Sequence, residues 1–224
     1  MNDLTDVKTL AHVLTYDSTH GVVNNDIYTT NHSILVDGVE VPVFSQPNPQ
    51  DLPWKDMEVD VVLESTGRFL KNEQALLHNI AGAKKVIISA PSPDAKTVVL
   101  GVNDDLISSD DFVLSNASCT TNCLAPIAKV INDHFKIKSG YITTTHAFTS
   151  DQRLQDSPHN DLRRARSAMN SIIPTQTGAA SAVGKVLPEL NGKLDGIALR
   201  VPVACGSITD FVCITEKETT AEEV

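Results

Sequence analysis

Val59-Asp60-Val61-Val62-Leu63, then a helix-like stretch over 71–82 that stops at Gly82, then Val86-Ile87-Ile88-Ser89: this segment decides the fold. Two short apolar runs separated by a helix point to a buried parallel sheet, whose strands are covered on both faces. Val98-Val99-Leu100 and Phe112-Val113-Leu114 extend the series as two further strand candidates. Sheets of this kind bind ligands just beyond the carboxyl ends of their strands, where Ser65-Thr66-Gly67 and Ala90-Pro91-Ser92 lie.

On the amino-terminal side, Thr5 or Asp6 caps a helix carrying Val7, Leu10, Ala11 and Leu14 at helical spacing. Residues 33–44 alternate apolar and polar around Asp37-Gly38, a hairpin signal. Met1-Asn2-Asp3-Leu4-Thr5 reads as the end of a strand entering that helix, with nothing in front to pair. After Asn116 the texture changes. Residues 122–135 predict a helix with Leu124, Ile127, Ala128 and Ile131 on one face, and Tyr141 to Thr145 predict a strand leading to His146. The polar stretch 149–170 reads as an ordered excursion, followed by a helix over 179–190 and strands near 194–203 and 207–215. Glu216 to Val224 reads as the start of another helix.

A length of 224 residues allows one large or two small domains, and 41% hydrophobic with 21% charged residues excludes a disordered chain. With 18 Lys+Arg against 28 Asp+Glu, the net charge of −10 disfavours nucleic acid or an anionic membrane as a partner. No apolar stretch approaches the ~20 residues of a membrane span. Four cysteines are too few for a disulfide scaffold, so a reducing, cytoplasmic setting is expected.

The chemistry concentrates at Ser118-Cys119-Thr120-Thr121-Asn122-Cys123, after a strand and at the start of a helix. The positive end of a helix favours a thiolate there, and the flanking hydroxyls and backbone amides suit an anion. Cys123, one turn on, reads as a small buried residue. No second ligand pair stands at zinc-like spacing, so no metal site is expected. His146 closes a strand and opens the loop Ala147-Phe148-Thr149-Ser150-Asp151, a setting that suits a thiolate–imidazole couple with Cys119. Histidines 12, 20, 32, 78, 134 and 159 read as surface or satisfied structural residues. Arg163, Arg164 and Arg166 suggest a phosphate clamp or subunit contact. Arg200, a lone charge in an apolar strand, is either paired structurally or reaches an anionic ligand. Thr175-Gln176-Thr177-Gly178 ahead of a helix makes a second anion site. Two anion sites, a thiolate and an imidazole suggest a substrate carrying phosphate and an electrophilic carbon.

Along essentially its whole length the chain resembles the phosphorylating glyceraldehyde-3-phosphate dehydrogenase family. The resemblance rests on Tyr16-Asp17-Ser18-Thr19-His20-Gly21, Glu64-Ser65-Thr66-Gly67-Arg68-Phe69, Lys84 through Pro91, Ser115 through Pro126, and Asp161 through Arg166. Leu187-Pro188-Glu189-Leu190 and Leu199-Arg200-Val201-Pro202 continue the series. The resemblance implies an α/β chain: a truncated Rossmann-type dinucleotide-binding domain over 1–118, then a mixed-sheet α+β catalytic domain over 119–224. It implies a chain lacking about a βα unit and its glycine-rich loop in front, and more than that behind.

By resemblance, Cys119 attacks the aldehyde carbon and His146 acts as the base. Thr149 and Arg200, with Asp151 nearby, match the residues around the substrate phosphate of glyceraldehyde 3-phosphate. Ser118, Thr120, Arg164, Thr177 and Gly178 match those around the attacking inorganic phosphate. Asp3 matches the acidic residue on the adenosine ribose, and Thr66, Gly67 and Ser89 match contacts to the dinucleotide. A carboxylate at Asp3 favours NAD; Ser157-Pro158, where NAD-using members have Leu-Pro, leaves NADP open. Ala204-Cys205-Gly206-Ser207 also departs from the family's Pro-Asn-Val-Ser. The resemblance implies a homotetramer for a complete chain. Competing expectations are an erythrose-4-phosphate dehydrogenase of the same fold and a catalytically incompetent fragment.

Overall fold

In a computed structural model, which describes residues 1–224, the chain divides into two compact units. The first comprises Met1–Val62 with Ala75–Val86, and the second Leu63–Gln74 with Ile87–Val224.

The first unit begins with helix α1 (Val7–Thr15), whose cap is Asp6: its carboxylate accepts from Thr9 N at 3.0 Å. A short hairpin, β1 (Tyr16–Asp17) and β2 (Gly21–Val22), follows. Then β3 (Ile27–Thr29), β4 (Ser33–Val36) and β5 (Val39–Pro42) form an antiparallel sheet in that order. The expected hairpin at Asp37-Gly38 is present, both residues at positive φ (50° and 80°), which suits the right-handed twist of its strands. Trp54 and His78 form the polar contact of this unit's core, the indole donating to Nδ1 at 3.0 Å.

Strand β6 (Val61–Glu64), helix α2 (Asn72–Ile80) and strand β7 (Lys85–Ile88) carry residues of both units. With β8 (Lys96–Thr97) and β9 (Val113–Ser115) the strands make a sheet of order β6-β7-β9-β8. Inside the second unit its ladder continues past the strand ends: Ser89 N to Glu64 O at 3.0 Å, Asn116 N to Ile88 O at 2.9 Å and Val98 N to Ser115 O at 2.8 Å. These one-way steps are those of the expected parallel sheet. The strand expected at Val98-Val99-Leu100 is instead a turn. The Asn103 side chain accepts from Val99 N and donates to Thr97 O, drawing the backbone out of the ladder. Val99 is apolar because it joins the core, not because it pairs.

Helix α3 spans Cys119–Phe135, three residues earlier than its apolar stripe predicts, because Ser118 caps it. Strand β10 (Ile137–Ala147), strand β11 (Ile173–Gln176), helix α4 (Ala179–Val186), strand β12 (Leu194–Val201) and strand β13 (Ser207–Thr215) complete the unit. Helix α4 stops short of 190 because Pro188 brings no amide hydrogen, and a single 3₁₀ turn, Pro188–Leu190, takes over. Glu216–Val224 forms no helix; Glu216 N is taken by the carbonyls of Phe135 and Lys136.

The mixed sheet has the order β11-β12-β10-β13, with β10 parallel to β12 and antiparallel to β13. Helices α3 and α4 contribute Leu124, Ala125, Ala128, Ala180 and Val183 to one core with Ile137 and Ile142. Small residues on both helices permit close approach, and the buried Asn132 closes α3 by accepting from Ile137 N. Where β12 passes β10, Gly196 is required: a Cβ there would sit 2.2 Å from Ile142 Cγ1 and 2.7 Å from its carbonyl oxygen. Gly196→Ala should therefore lower stability by about 1–3 kcal/mol, read as a shifted denaturant midpoint with unchanged m-value.

Candidate active site

The turn that delivers α3 is held at each residue. Ala117 is buried at φ 58°, a left-handed conformation uncommon outside glycine, and its amide donates to Ser115 Oγ. Ser115 Oγ in turn donates to Ala90 O at 2.8 Å, and the Asn122 side chain donates to the carbonyls of Asn116 and Ser118. Ser118 Oγ then accepts from Thr121 N at 3.1 Å. The outcome is Cys119 at the first helical position, its thiol exposed and at the positive end of a helix of 17 residues.

His146 arrives from β10. Its Nε2 lies 3.4 Å from Cys119 Sγ, within hydrogen-bond reach for sulfur. Nδ1 lies 2.8 Å from Ala147 O and 3.0 Å from Arg200 Nη1. The ring therefore has a partner in either neutral tautomer, donating to the carbonyl or accepting from the guanidinium. That leaves Nε2 able to take a proton or to give one. Arg200 is placed by register, opposite His146 in the parallel pairing of β10 with β12. Its Nη1 also donates to Ala147 O at 3.0 Å, while its buried Nε has no partner. Burial, and then the charge of Arg164, pull the Arg200 guanidinium below its ordinary pKa; Cys119 and Asp151 act in the opposite direction. An anion arriving at Arg200 would relieve that penalty.

Ser118, Cys119, Thr120, His146, Thr177 and Arg200 share one cavity of about 220 Å³, with Gly178 also on its wall. The structure thus gathers seven of the ten expected catalytic and substrate residues. The other three lie outside the wall: Asp151 pairs with Arg164, whose Nε donates to Thr175 Oγ1 at 2.8 Å, and Thr149 O accepts from Gln152 N. Thr121, Gln176 and Pro91, from stretches the sequence had marked, also line the wall with Ala179, Ala182 and Ala198, and Thr144 joins them without having been singled out. Strand alternation placing Thr144 on the face of His146 was the available signal. One expectation is corrected: Cys123 is exposed, because the buried stripe of α3 runs through Leu124, Ala125 and Ala128.

Of the four expected cofactor residues, Asp3 lies in the first unit and Thr66, Gly67 and Ser89 in the second. Half-buried Asp3 spends Oδ1 on Thr5 N at 2.8 Å and keeps Oδ2 unpartnered, as an acceptor for ribose hydroxyls requires. Thr66 gives both its amide and its hydroxyl to Glu64 Oε1, which steadies the loop. Gly67 follows at φ 71° with open space where a Cβ would stand, so a ligand can approach the backbone there. Ser89 is exposed just beyond β7.

Comparison with known proteins gives two family matches. Residues 1–72 match "Glyceraldehyde 3-phosphate dehydrogenase, NAD binding domain", and residues 118–224 match "Glyceraldehyde 3-phosphate dehydrogenase, C-terminal domain". The chain is 54% identical to glyceraldehyde-3-phosphate dehydrogenases of Clostridium acetobutylicum and Geobacillus stearothermophilus, over 100% of its own length and 68% of theirs. Identity to that of Borreliella burgdorferi is 54%, over 69% of that protein.

If Nε2 is the partner of the thiol, His146→Asn should slow alkylation of Cys119 by iodoacetamide at neutral pH roughly 10-fold or more. Intact-mass kinetics measure it; an unchanged rate would show that the imidazole does not activate the thiol.

Proposed function

The chain belongs to the glyceraldehyde-3-phosphate dehydrogenase family, and on that premise we propose that the Cys119–His146 couple performs the family's chemistry. The protein is an NAD-dependent oxidoreductase of glycolysis, acting on glyceraldehyde 3-phosphate and inorganic phosphate. The observation that carries the assignment of roles is the 3.4 Å approach of Cys119 Sγ to His146 Nε2 at the first turn of α3.

In this reading the Cys119 thiolate attacks the aldehyde carbon and forms a carbon–sulfur bond. The carbonyl π pair moves to oxygen, which takes the proton that His146 Nε2 had drawn from the thiol, giving a thiohemiacetal. The Cys119 amide, free at a helix start, and the imidazole steady the oxygen as charge develops on it. His146 Nε2 takes the hydroxyl proton as the carbon loses hydride, leaving a thioester on Cys119. NAD, when bound, supplies the acceptor for that hydride, and Asp3, Thr66, Gly67 and Ser89 are the residues that would hold it. A phosphate oxygen then attacks the acyl carbon, the carbon–sulfur bond breaks, and the thiolate leaves an acyl phosphate, 1,3-bisphosphoglycerate.

Phosphate recognition divides between two groups of residues. Ser118, Thr120, Thr177 and Gly178 offer hydroxyls and backbone amides at the starts of α3 and α4 for the attacking phosphate, with Arg164 joined to that wall through its hydrogen bond to Thr175. Arg200 supplies a half-buried, half-spent guanidinium for the substrate's own phosphate, with Thr149 and Asp151 in the adjoining segment.

A homotetramer is part of this proposal. Tyr141, Ile208, Val212 and Ile214 leave an apolar face on β10 and β13 exposed, and such a face calls for a cover. A cytoplasmic setting is proposed from the −10 charge and the four free cysteines; no helix is long and apolar enough to cross a membrane.

Reduction of NAD, followed by absorbance, should require phosphate or arsenate and disappear in Cys119→Ser. Sustained turnover without either anion would point to hydrolysis of the thioester and contradict the phosphate roles.

A further inference from the structure

The segment after His146 holds a closed ring of five polar residues. Asp161 N donates to His159 Nδ1 at 2.9 Å. A backbone amide is always a donor, so Nδ1 must accept and the neutral ring carries its hydrogen on Nε2, although Asp161 O also lies 3.1 Å from Nδ1. That Nε2 faces Asp151 Oδ1 at 3.4 Å. The other carboxylate oxygen of Asp151 is taken by Arg164 Nη1, and Arg164 Nε donates to Thr175 Oγ1 at 2.8 Å. Thr175 Oγ1 donates to Asp161 Oδ2 at 3.4 Å, which returns the ring to its start.

Burial separates the members of this ring. The side chain of His159 is 12% exposed and that of Arg164 22%, whereas Asp151 is half open to solvent. Thr175 is fully buried in β11, immediately before Gln176, Thr177 and Gly178 on the cavity wall. Partial burial penalises the Asp151 charge, yet hydrogen bonds from Arg164 and His159 outweigh it and hold the carboxyl below the usual carboxylate range. Without His159, Asp151 would keep one partner and could swing with Arg164 as a surface pair. A surface pair fixes direction poorly.

We propose that His159 is a positioning residue for the anion side of the cavity: through Asp151 it sets the direction of Arg164, and through Thr175 it steadies the Gln176–Gly178 wall. This rests on the reading of Arg164 and Thr177 as phosphate-binding groups. His159 touches no reacting atom. A merely structural histidine at this turn would affect stability alone, so the two roles separate experimentally.

The test uses the full chain and inorganic phosphate as the probe, measured as protection of Cys119 from iodoacetamide by intact mass. His159→Leu should raise the half-protecting phosphate concentration roughly 3- to 10-fold, as the loss of one ordinary hydrogen bond would, since the 3.4 Å contact to half-exposed Asp151 is a weak one. The alkylation rate without phosphate should stay within about 2-fold, because the Cys119–His146 contact is untouched. His159→Gln, whose amide can again donate to Asp151, should restore most of the protection. Wild-type protection in His159→Leu would overturn the proposal, as would a weakened His159→Leu that His159→Gln fails to rescue. Arg164→Gln reports on the underlying reading: if that change leaves protection intact, the phosphate role of Arg164 falls, and the role of His159 with it.

Discussion

The site depends on one constraint, the start of helix α3. Ser118 caps it, Ala117 turns into it at positive φ, and Cys119 is thereby held at its first position with the thiol free. A helix beginning three residues later would bury or redirect the sulfur and leave His146 facing nothing. Local hydrogen bonds from Ser115, Asn122 and Ser118 remove that freedom. In the proposed mechanism the dipole and the unspent amides at this helix end would serve both the thiolate and an oxyanion, so one structural device would support two chemical needs.

The second half of the couple comes from sheet register. His146 lies opposite Arg200 on one side and Ser207 on the other, so the imidazole and the guanidinium share a row of the sheet. A slip of one residue in the β10–β12 pairing would turn one of the two side chains to the opposite face. The packed core beneath that row, with Gly196 against Ile142, keeps the register from slipping. Packing remote from the cavity thus determines where the His146 imidazole points.

Much of this was legible in the sequence, where the physics is local. The Asp37-Gly38 turn, the parallel-sheet rhythm around Val61 and Val86, and the Cys119 and His146 settings each follow from a few neighbouring residues. Misreadings came where side chains act at a distance. The Asn103 amide turned Val98-Val99-Leu100 out of the sheet, and Pro188 cut α4 short of 190. Cys123 was expected inside because its residue type favours burial; the geometry of α3 gave the inside to Leu124 and the alanines. The ring through His159 could not be read at all, since its members are joined by the path of a polar excursion with no periodic pattern. The family resemblance supplied Asp151 and Arg164 as candidates, and only the structure displayed how they hold one another.

In the proposed mechanism Cys119 carries the acyl group between oxidation and phosphorolysis. Mixing the full chain with glyceraldehyde 3-phosphate and NAD, without phosphate, followed by acid quench and peptide mass spectrometry, tests it directly. A phosphoglyceroyl adduct is expected on the peptide containing Cys119, vanishing when phosphate is added before the quench. An adduct that survives in Cys119→Ser, or one that sits on another residue, would contradict it.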